Sequence, residues 1–160
     1  YKAYRSRALE SFTRPLKLVL LTGCTGSGKS EILRALKASG QQVIDLERLA
    51  SHKGSAFGGL FMNPQPTTEQ FQNDLFEEIL PLDPQQPIWV EDESIAIGQI
   101  FLPRDFWLQM SQSPLVQVQV DKEIRIQRLV QEYGKADRAE FLAIMTKIVK
   151  RLGGQNFNLA

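Results

Sequence analysis

The apolar positions along the chain fall into short blocks separated by glycine, proline and charge. Lys17 to Leu21 (KLVLL) is an apolar run that meets glycines at once, and Ile32, Leu33, Ala35 and Leu36 then recur at helical spacing between Glu31 and Ala38, until Gly40 ends the segment. This predicts strand, loop, helix. Gln42 to Leu46 (QVIDL) predicts a second buried strand with Asp45 near its carboxyl end, so the first unit has the length of a βαβ crossover. His52 to Gly59 (HKGSAFGG) is too rich in glycine for a regular element, and Asn63, Pro64 and Pro66 prolong the irregular stretch. Thr67 or Thr68 then caps a helix carrying Phe71, Leu75, Phe76, Ile79 and Leu80 up to Pro81. Ile88 to Val90 predicts a third buried strand, Pro103 to Met110 a short helix, Leu115 to Val120 a fourth strand, and Glu123 to Tyr133 and Arg138 to Leu152 two closing helices. Gly153, Gly154 and Asn156 read as a turn leading onward. Strands alternating with helices imply a mostly parallel sheet covered on both faces, with ligands at the carboxyl ends of the strands.

Composition narrows the chemistry. At 160 residues with 42% hydrophobic residues, the chain has the size and apolar content of one domain. It contains no run of about 18 or more apolar residues, so the expected location is the cytoplasm and no membrane partner is expected. Cys24 is the one cysteine and His52 the one histidine, which excludes an internal disulfide and a cysteine- or histidine-rich zinc site. The formal net charge of +1 conceals basic ends. Lys2, Arg5, Arg7, Arg14 and Lys17 face Glu10 alone near the start, and eight cations outnumber five acids from Asp121 onward. That distribution fits a polyanionic partner, or ordinary solvated helix faces.

Gly23 to Ser30 (GCTGSGKS) matches G-x-x-x-x-G-K-[ST] in full, with a predicted strand before it and a helix after it. Gly23, Cys24, Thr25, Gly26, Ser27 and Gly28 allow the backbone to wrap a phosphate with N–H groups pointing inward. Lys29 supplies a mobile positive charge, and the Ser30 hydroxyl is placed to ligand Mg²⁺. The fold class expected is therefore α/β, P-loop NTPase-like, with three α/β/α layers. A thiol at a helix N-terminus is acidified, which makes Cys24 a conceivable nucleophile, but a thiolate in that loop would repel a phosphate. Glu91, Asp92 and Glu93 follow the third strand, where an acid holds Mg²⁺ or its water shell; Asp92 or Glu91 is the candidate. Asp45 and Glu47 stand on the acceptor side, where Asp45 either binds substrate or metal or caps a short helix. His52 and Lys53 open a glycine-rich loop able to close over a ligand, or lie at the surface. Arg125 and Arg128, spaced i, i+3, either reach a phosphate together or form salt bridges to Glu123 or Glu132.

The phosphate loop, VIDLERLASHKGSAFG (43 to 58) and VEDESIAIG (90 to 98) together resemble the P-loop domain of the tRNA 2-selenouridine synthase family. Within these segments the resemblance adds Ser55 and Ser94 as candidate site residues, and the leading YKAYR resembles that family's link from a preceding rhodanese domain. Residues 1–16 are thus expected to be a linker and residues 17–160 a P-loop domain cut short at its carboxyl end. Lys53 stands where arginine is more usual, keeping the charge but losing the planar fork. The resemblance implies conversion of wobble 2-thiouridine in tRNA to 2-selenouridine, with selenophosphate, through an S-geranyl intermediate made from geranyl diphosphate. It implies tRNA and the rhodanese domain, which carries the selenium-transfer cysteine, as partners; Cys24 does not match that cysteine. A loop of N–H donors with Lys29 suits a departing diphosphate, and Phe57, Leu60 and Phe61 are candidates to shelter the prenyl chain. ATP or GTP is the other ligand the loop would take. A small-molecule kinase and a non-catalytic, nucleotide-sensing RNA-binding module are the rival functions.

Overall fold

A computed structural model describes residues 1–149. The final part of the helix expected over Arg138–Leu152, with the turn at Gly153, Gly154 and Asn156, lies outside the described residues.

The elements run α1 (Lys2–Ser11), β1 (Leu18–Thr22), α2 (Lys29–Ala38), β2 (Gln42–Ile44), α3 (Leu46–Ala50) and α4 (Thr68–Ile79). They continue with β3 (Ile88–Glu91), β4 (Ala96–Ile97), β5 (Ile100–Phe101), α5 (Arg104–Ser111), β6 (Leu115–Gln117), α6 (Lys122–Tyr133) and α7 (Arg138–Lys147). β2, β3, β1 and β6 form, in that order, a parallel sheet, with Leu20 opposite both Val90 and Leu115. From β1 the chain moves outward to β2, returns to β3 on the same side, and then crosses to β6 on the other. That reversal makes the carboxyl end of β1 the expected ligand crevice.

The period of two along each strand sorts its side chains between two cores. Leu18 and Leu20, Ile88 and Val90, and Ile44 join Ala8 and Phe12 of the N-terminal segment, Phe71, Leu75 and Phe76 of α4, and Phe106 and Met110 of α5. Leu21, Val43 and Trp89 turn the other way, onto Ile32, Leu33 and Leu36 of α2. The result is the three-layer α/β/α arrangement expected. β6 is the exposed edge, with Leu115 and Val116 open to solvent.

Several local features differ from the sequence reading. Residues Lys2–Ser11 form a helix that no periodicity predicts, and it docks on α4 through Tyr4 Oη donating to Glu77 (2.6 Å) and Arg5 donating to Asn73 (3.1 Å). The second strand ends at Ile44, because Asp45 caps α3 by accepting from the Arg48 N–H at 2.8 Å. The fourth strand stops at Gln117 rather than Val120, although Val118 N–H still bonds to the Thr22 carbonyl at 2.8 Å. The β4–β5 hairpin, turning at Gly98 with φ +61°, has no counterpart in the predicted elements. Thr67 is the residue that caps α4, accepting from Gln70 N–H.

Candidate functional site

The glycines of the phosphate loop adopt the backbone that its wrapping requires. Gly26 and Gly28 have φ of +80° and +85°, a region that a Cβ makes costly, and Gly28 is the N-cap of α2. Lys29 Nζ folds back to donate to the Gly23 carbonyl at 2.8 Å, so its charge stays over the loop. Ser27 is buried, and among the described residues its Oγ has no hydrogen-bond partner. Helix α6 lies across the loop. Arg128 Nη1 donates to the Gly26 carbonyl at 3.2 Å, and Arg125 Nη1 reaches the Thr25 carbonyl at 3.5 Å. The two arginines therefore sit at the loop together, and neither is paired with Glu123 or Glu132 among the described residues.

Above the loop is a cleft of about 960 Å³ whose walls include Lys29, Ser30, Glu47, Lys53, Asp92 and Arg128. Ser30 Oγ donates to Glu47 Oε2 at 3.2 Å. Burial raises the Glu47 carboxyl above its ordinary range, against the opposing pull of the Ser30 hydrogen bond and Lys29. Burial also pushes Glu93 up to about 7, reinforced by Glu47 and opposed by Lys29. Gly54 passes so close to Glu93 that a Cβ there would meet its carboxylate at 2.4 Å. Ser30 with Asp92 offers hard oxygen donors at the mouth of the loop, a set suited to Mg²⁺ that keeps several of its waters. Among the described residues no group of three or more His, Cys, Asp or Glu side chains forms a ready-made metal cage.

Some candidates have structural duties instead. Glu91 points into the core, fully buried, where Oε2 accepts the Leu46 N–H at 2.9 Å and Oε1 has no partner among the described residues. Burial, helped by Asp45, pushes its carboxyl up to about 9. It lies outside the cleft, so of the two acids singled out for metal, Asp92 alone faces the loop. Asp45 is the cap of α3, the plainer of its two readings. His52 packs its ring on Gly58 and braces the glycine-rich loop; its Nδ1 is buried without a partner among the described residues, and burial lowers its pKa. Ser94 Oγ donates to the Ala96 carbonyl at 2.6 Å, holding the turn before the hairpin. Cys24 is exposed, and its carbonyl accepts the Ser27 N–H at 3.0 Å.

Beside the phosphate cleft lies a second cavity, of about 650 Å³, that sequence reasoning missed. Phe57, Ile126, Leu129, Val130, Tyr133 and Phe141 supply most of its wall, and it shares Thr25, Ser55 and Tyr133 with the cleft. Phe57 and Phe141 stack at 4.8 Å, and Phe57 meets the Tyr133 ring at 5.9 Å. Of the three residues expected to shelter a prenyl chain, Phe57 does line this groove. Leu60 is instead buried at 2% exposure outside it, because its small loop folds inward, and Phe61 is 64% exposed on a backbone with φ +61°. The missed signal was the i, i+3, i+4, i+7 spacing of Ile126, Leu129, Val130 and Tyr133, which looks the same whether a helix faces a core or a cavity. Ser55 Oγ lies between the two cavities, beside Tyr133. Lys53 is ion-paired with Glu132, and its Nζ stands 5.9 Å from the Tyr133 ring centroid.

The arrangement thus joins the Gly23–Ser30 loop, with Lys29 folded over it, to an apolar trough. Comparison with known proteins agrees with the resemblance drawn from the three motifs. The family model for the tRNA 2-selenouridine synthase AAA domain matches residues 16–159. A tRNA 2-selenouridine synthase of Bdellovibrio bacteriovorus is 39% identical over 135 residues, covering 81% of this chain and 35% of the relative. Those of Shewanella piezotolerans and a Sulfurovum species are each 36% identical, covering 97% and 99% of this chain but 47% and 48% of the relatives. The chain therefore spans half or less of the length of these relatives. Among the described residues no helix is long and apolar enough to cross a membrane. The chain belongs to the tRNA 2-selenouridine synthase family, whose AAA domain it carries over residues 16–159.

Proposed function

We propose that this chain is the prenyl-diphosphate-binding part of a cytoplasmic transferase that converts wobble 2-thiouridine in tRNA to 2-selenouridine by way of the S-geranyl nucleoside. The observation that carries this reading is the apolar groove opening directly off the phosphate cleft through Thr25, Ser55 and Tyr133. A diphosphate over Gly23–Ser30 would receive backbone N–H groups and the Lys29 charge, and the attached hydrocarbon would enter the groove, leaving water behind. A nucleotide would place a ribose and base there instead, with several hydrogen-bonding groups facing side chains that offer few partners. A small-molecule kinase or a nucleotide-sensing RNA-binding module would use the same loop but would give the groove no purpose.

In the transfer step the loop holds the leaving diphosphate as negative charge builds on it, and the groove excludes water from the reacting carbon. Ser30 and Asp92 would hold Mg²⁺, which when bound adds charge neutralisation at the leaving oxygens. The basic N-terminal segment and α6 suit a tRNA backbone. Selenium delivery from selenophosphate is assigned to a rhodanese domain rather than to these residues.

Calorimetric titration with geranyl diphosphate, ATP and GTP, each with and without Mg²⁺, tests the reading. Geranyl diphosphate should bind tighter than either nucleotide, and Lys29→Ala should weaken it by about tenfold to a hundredfold, the cost of one charge-assisted phosphate contact. Tight ATP binding with no response to geranyl diphosphate would overturn the reading in favour of the kinase.

A further inference from the structure

Tyr133 stands at the junction of the two cavities. It is buried at 8% exposure, and with Thr25 and Ser55 it belongs to both walls. A prenyl diphosphate lying across that junction, diphosphate on the loop and chain in the groove, has its allylic carbon there, at the bond that must break. The ring already faces a cation in this structure, because Lys53 Nζ is 5.9 Å from its centroid, within the range of a cation–π contact. Glu132 pairs with that lysine, so the local charge is balanced and a second positive centre is not repelled by an uncompensated ammonium.

We infer that Tyr133 is a catalytic residue that stabilises, with the face of its ring, the allylic carbocation formed as the prenyl diphosphate ionises. The inference rests on the prenyl-diphosphate reading above. The C1–O bond breaks with its electron pair leaving on the diphosphate, which the loop and Lys29 hold. The cation, delocalised over C1 and C3, lies against the ring of Tyr133. A lone pair of the thiouridine sulfur closes the new S–C1 bond, and the nucleoside loses its N3 proton to solvent. Nothing is oxidised or reduced. Phe57 and Phe141 extend the same aromatic surface along the chain, away from the loop. In water an allylic cation would be captured at once; a buried aromatic face stabilises it and keeps bulk water away from it.

The test uses binding, so it does not depend on any domain outside this chain. A C10-chain trimethylammonium ion and its neutral tert-butyl isostere are titrated into the protein in the presence of inorganic diphosphate. The cation should bind more tightly than the isostere, on the order of tenfold. Tyr133→Phe should keep that preference, and Tyr133→Leu should bring the two affinities together. Fluorinating the ring at position 133 weakens its negative face without removing it, and should give the loss seen in Tyr133→Leu even where the leucine variant fails to fold. A preference unchanged in both the leucine and the fluorinated protein overturns the role of Tyr133 while leaving the prenyl reading intact. Geranyl diphosphate binding no tighter than inorganic diphosphate overturns both.

Discussion

Gly26 carries two constraints that can be separated. Its φ of +80° disfavours any side chain, and a Cβ there would come within 2.8 Å of the Arg125 carbonyl oxygen and 3.2 Å of its Cα. Gly40, at the end of α2, has a similar φ of +87°, and none of the described residues lies within 4 Å of its would-be Cβ. Gly40→Ala should therefore lower stability by about 1–2 kcal/mol, the cost of left-handed backbone for an L-residue, and leave inorganic diphosphate binding alone. Gly26→Ala adds the contact with α6 and should weaken diphosphate binding by roughly tenfold or more, because either the loop or the helix carrying Arg125 and Arg128 must shift. Equal effects of the two substitutions on binding would show that α6 does not help shape the loop. His52 offers a pH test. Its pKa lies below the ordinary value of about 6.5, with burial the one cause identified. An opened loop would take up a proton before the packed one does, so packing is complete above about pH 6.5 and is lost as pH falls through the lower, folded pKa. The Gly58 and Lys53 amides, which are hydrogen-bonded within the loop, should lose exchange protection over that window. Constant protection factors from pH 8 to pH 5 would contradict this.

At the scale of elements, α3 shows how a residue that looks functional can be architectural. It is five residues long, too short to persist alone, and its first N–H groups are satisfied by Glu91 at Leu46 and by Asp45 at Arg48. Glu91→Ala removes the acceptor of a buried N–H and should cost about 1–3 kcal/mol, whereas Glu91→Gln keeps a carbonyl acceptor and should cost less. Thermal unfolding of the two variants checks the order, and a larger loss in the glutamine protein would reverse the assignment. Such pairings across strands and helices are not visible in sequence, which is why a strand-end acid read as a metal candidate. Helices α2, α4, α5 and α6 were legible because each repeats its apolar residues every three or four positions. By contrast, α1 buries Ala8 alone within its span, amid charged residues, and its tyrosines serve as hydrogen-bond donors to α4, so no periodicity announces it. The strands β4 and β5 have two residues each, below the length at which alternation can be read. The left-handed turns at Gly26 and Gly28 were legible because a glycine-rich turn is a local pattern. The groove was not, since its walls come from the loop after α3, from α6 and from α7.

For the whole molecule, the question is whether the two faces of the sheet and the N-terminal segment melt as one. Phe12 is 1% exposed and meets Phe106 of α5 edge to face at 6.2 Å, in the same core as β1 and β3. The two tryptophans report on different sides. Trp107 packs against that core, and Trp89 of β3 packs against the core under α2. Side chains of β3 alternate between these cores, so the strand cannot lose one set of contacts and keep the other in place. Phe12→Ala should cost about 3–5 kcal/mol, the range for deleting a buried phenyl ring. If the domain is a single cooperative unit, proteins carrying only Trp89 or only Trp107 should lose the same free energy of unfolding from this substitution, measured in denaturant. A shift at Trp107 with none at Trp89 would mean that the N-terminal segment and α5 form a subunit that opens by itself. The phosphate loop joins β1 to α2 across the two layers, so that outcome would leave it supported from one side alone. Ligand at the loop would then protect Trp89 more than Trp107, whereas a cooperative domain transmits the same stabilisation to both.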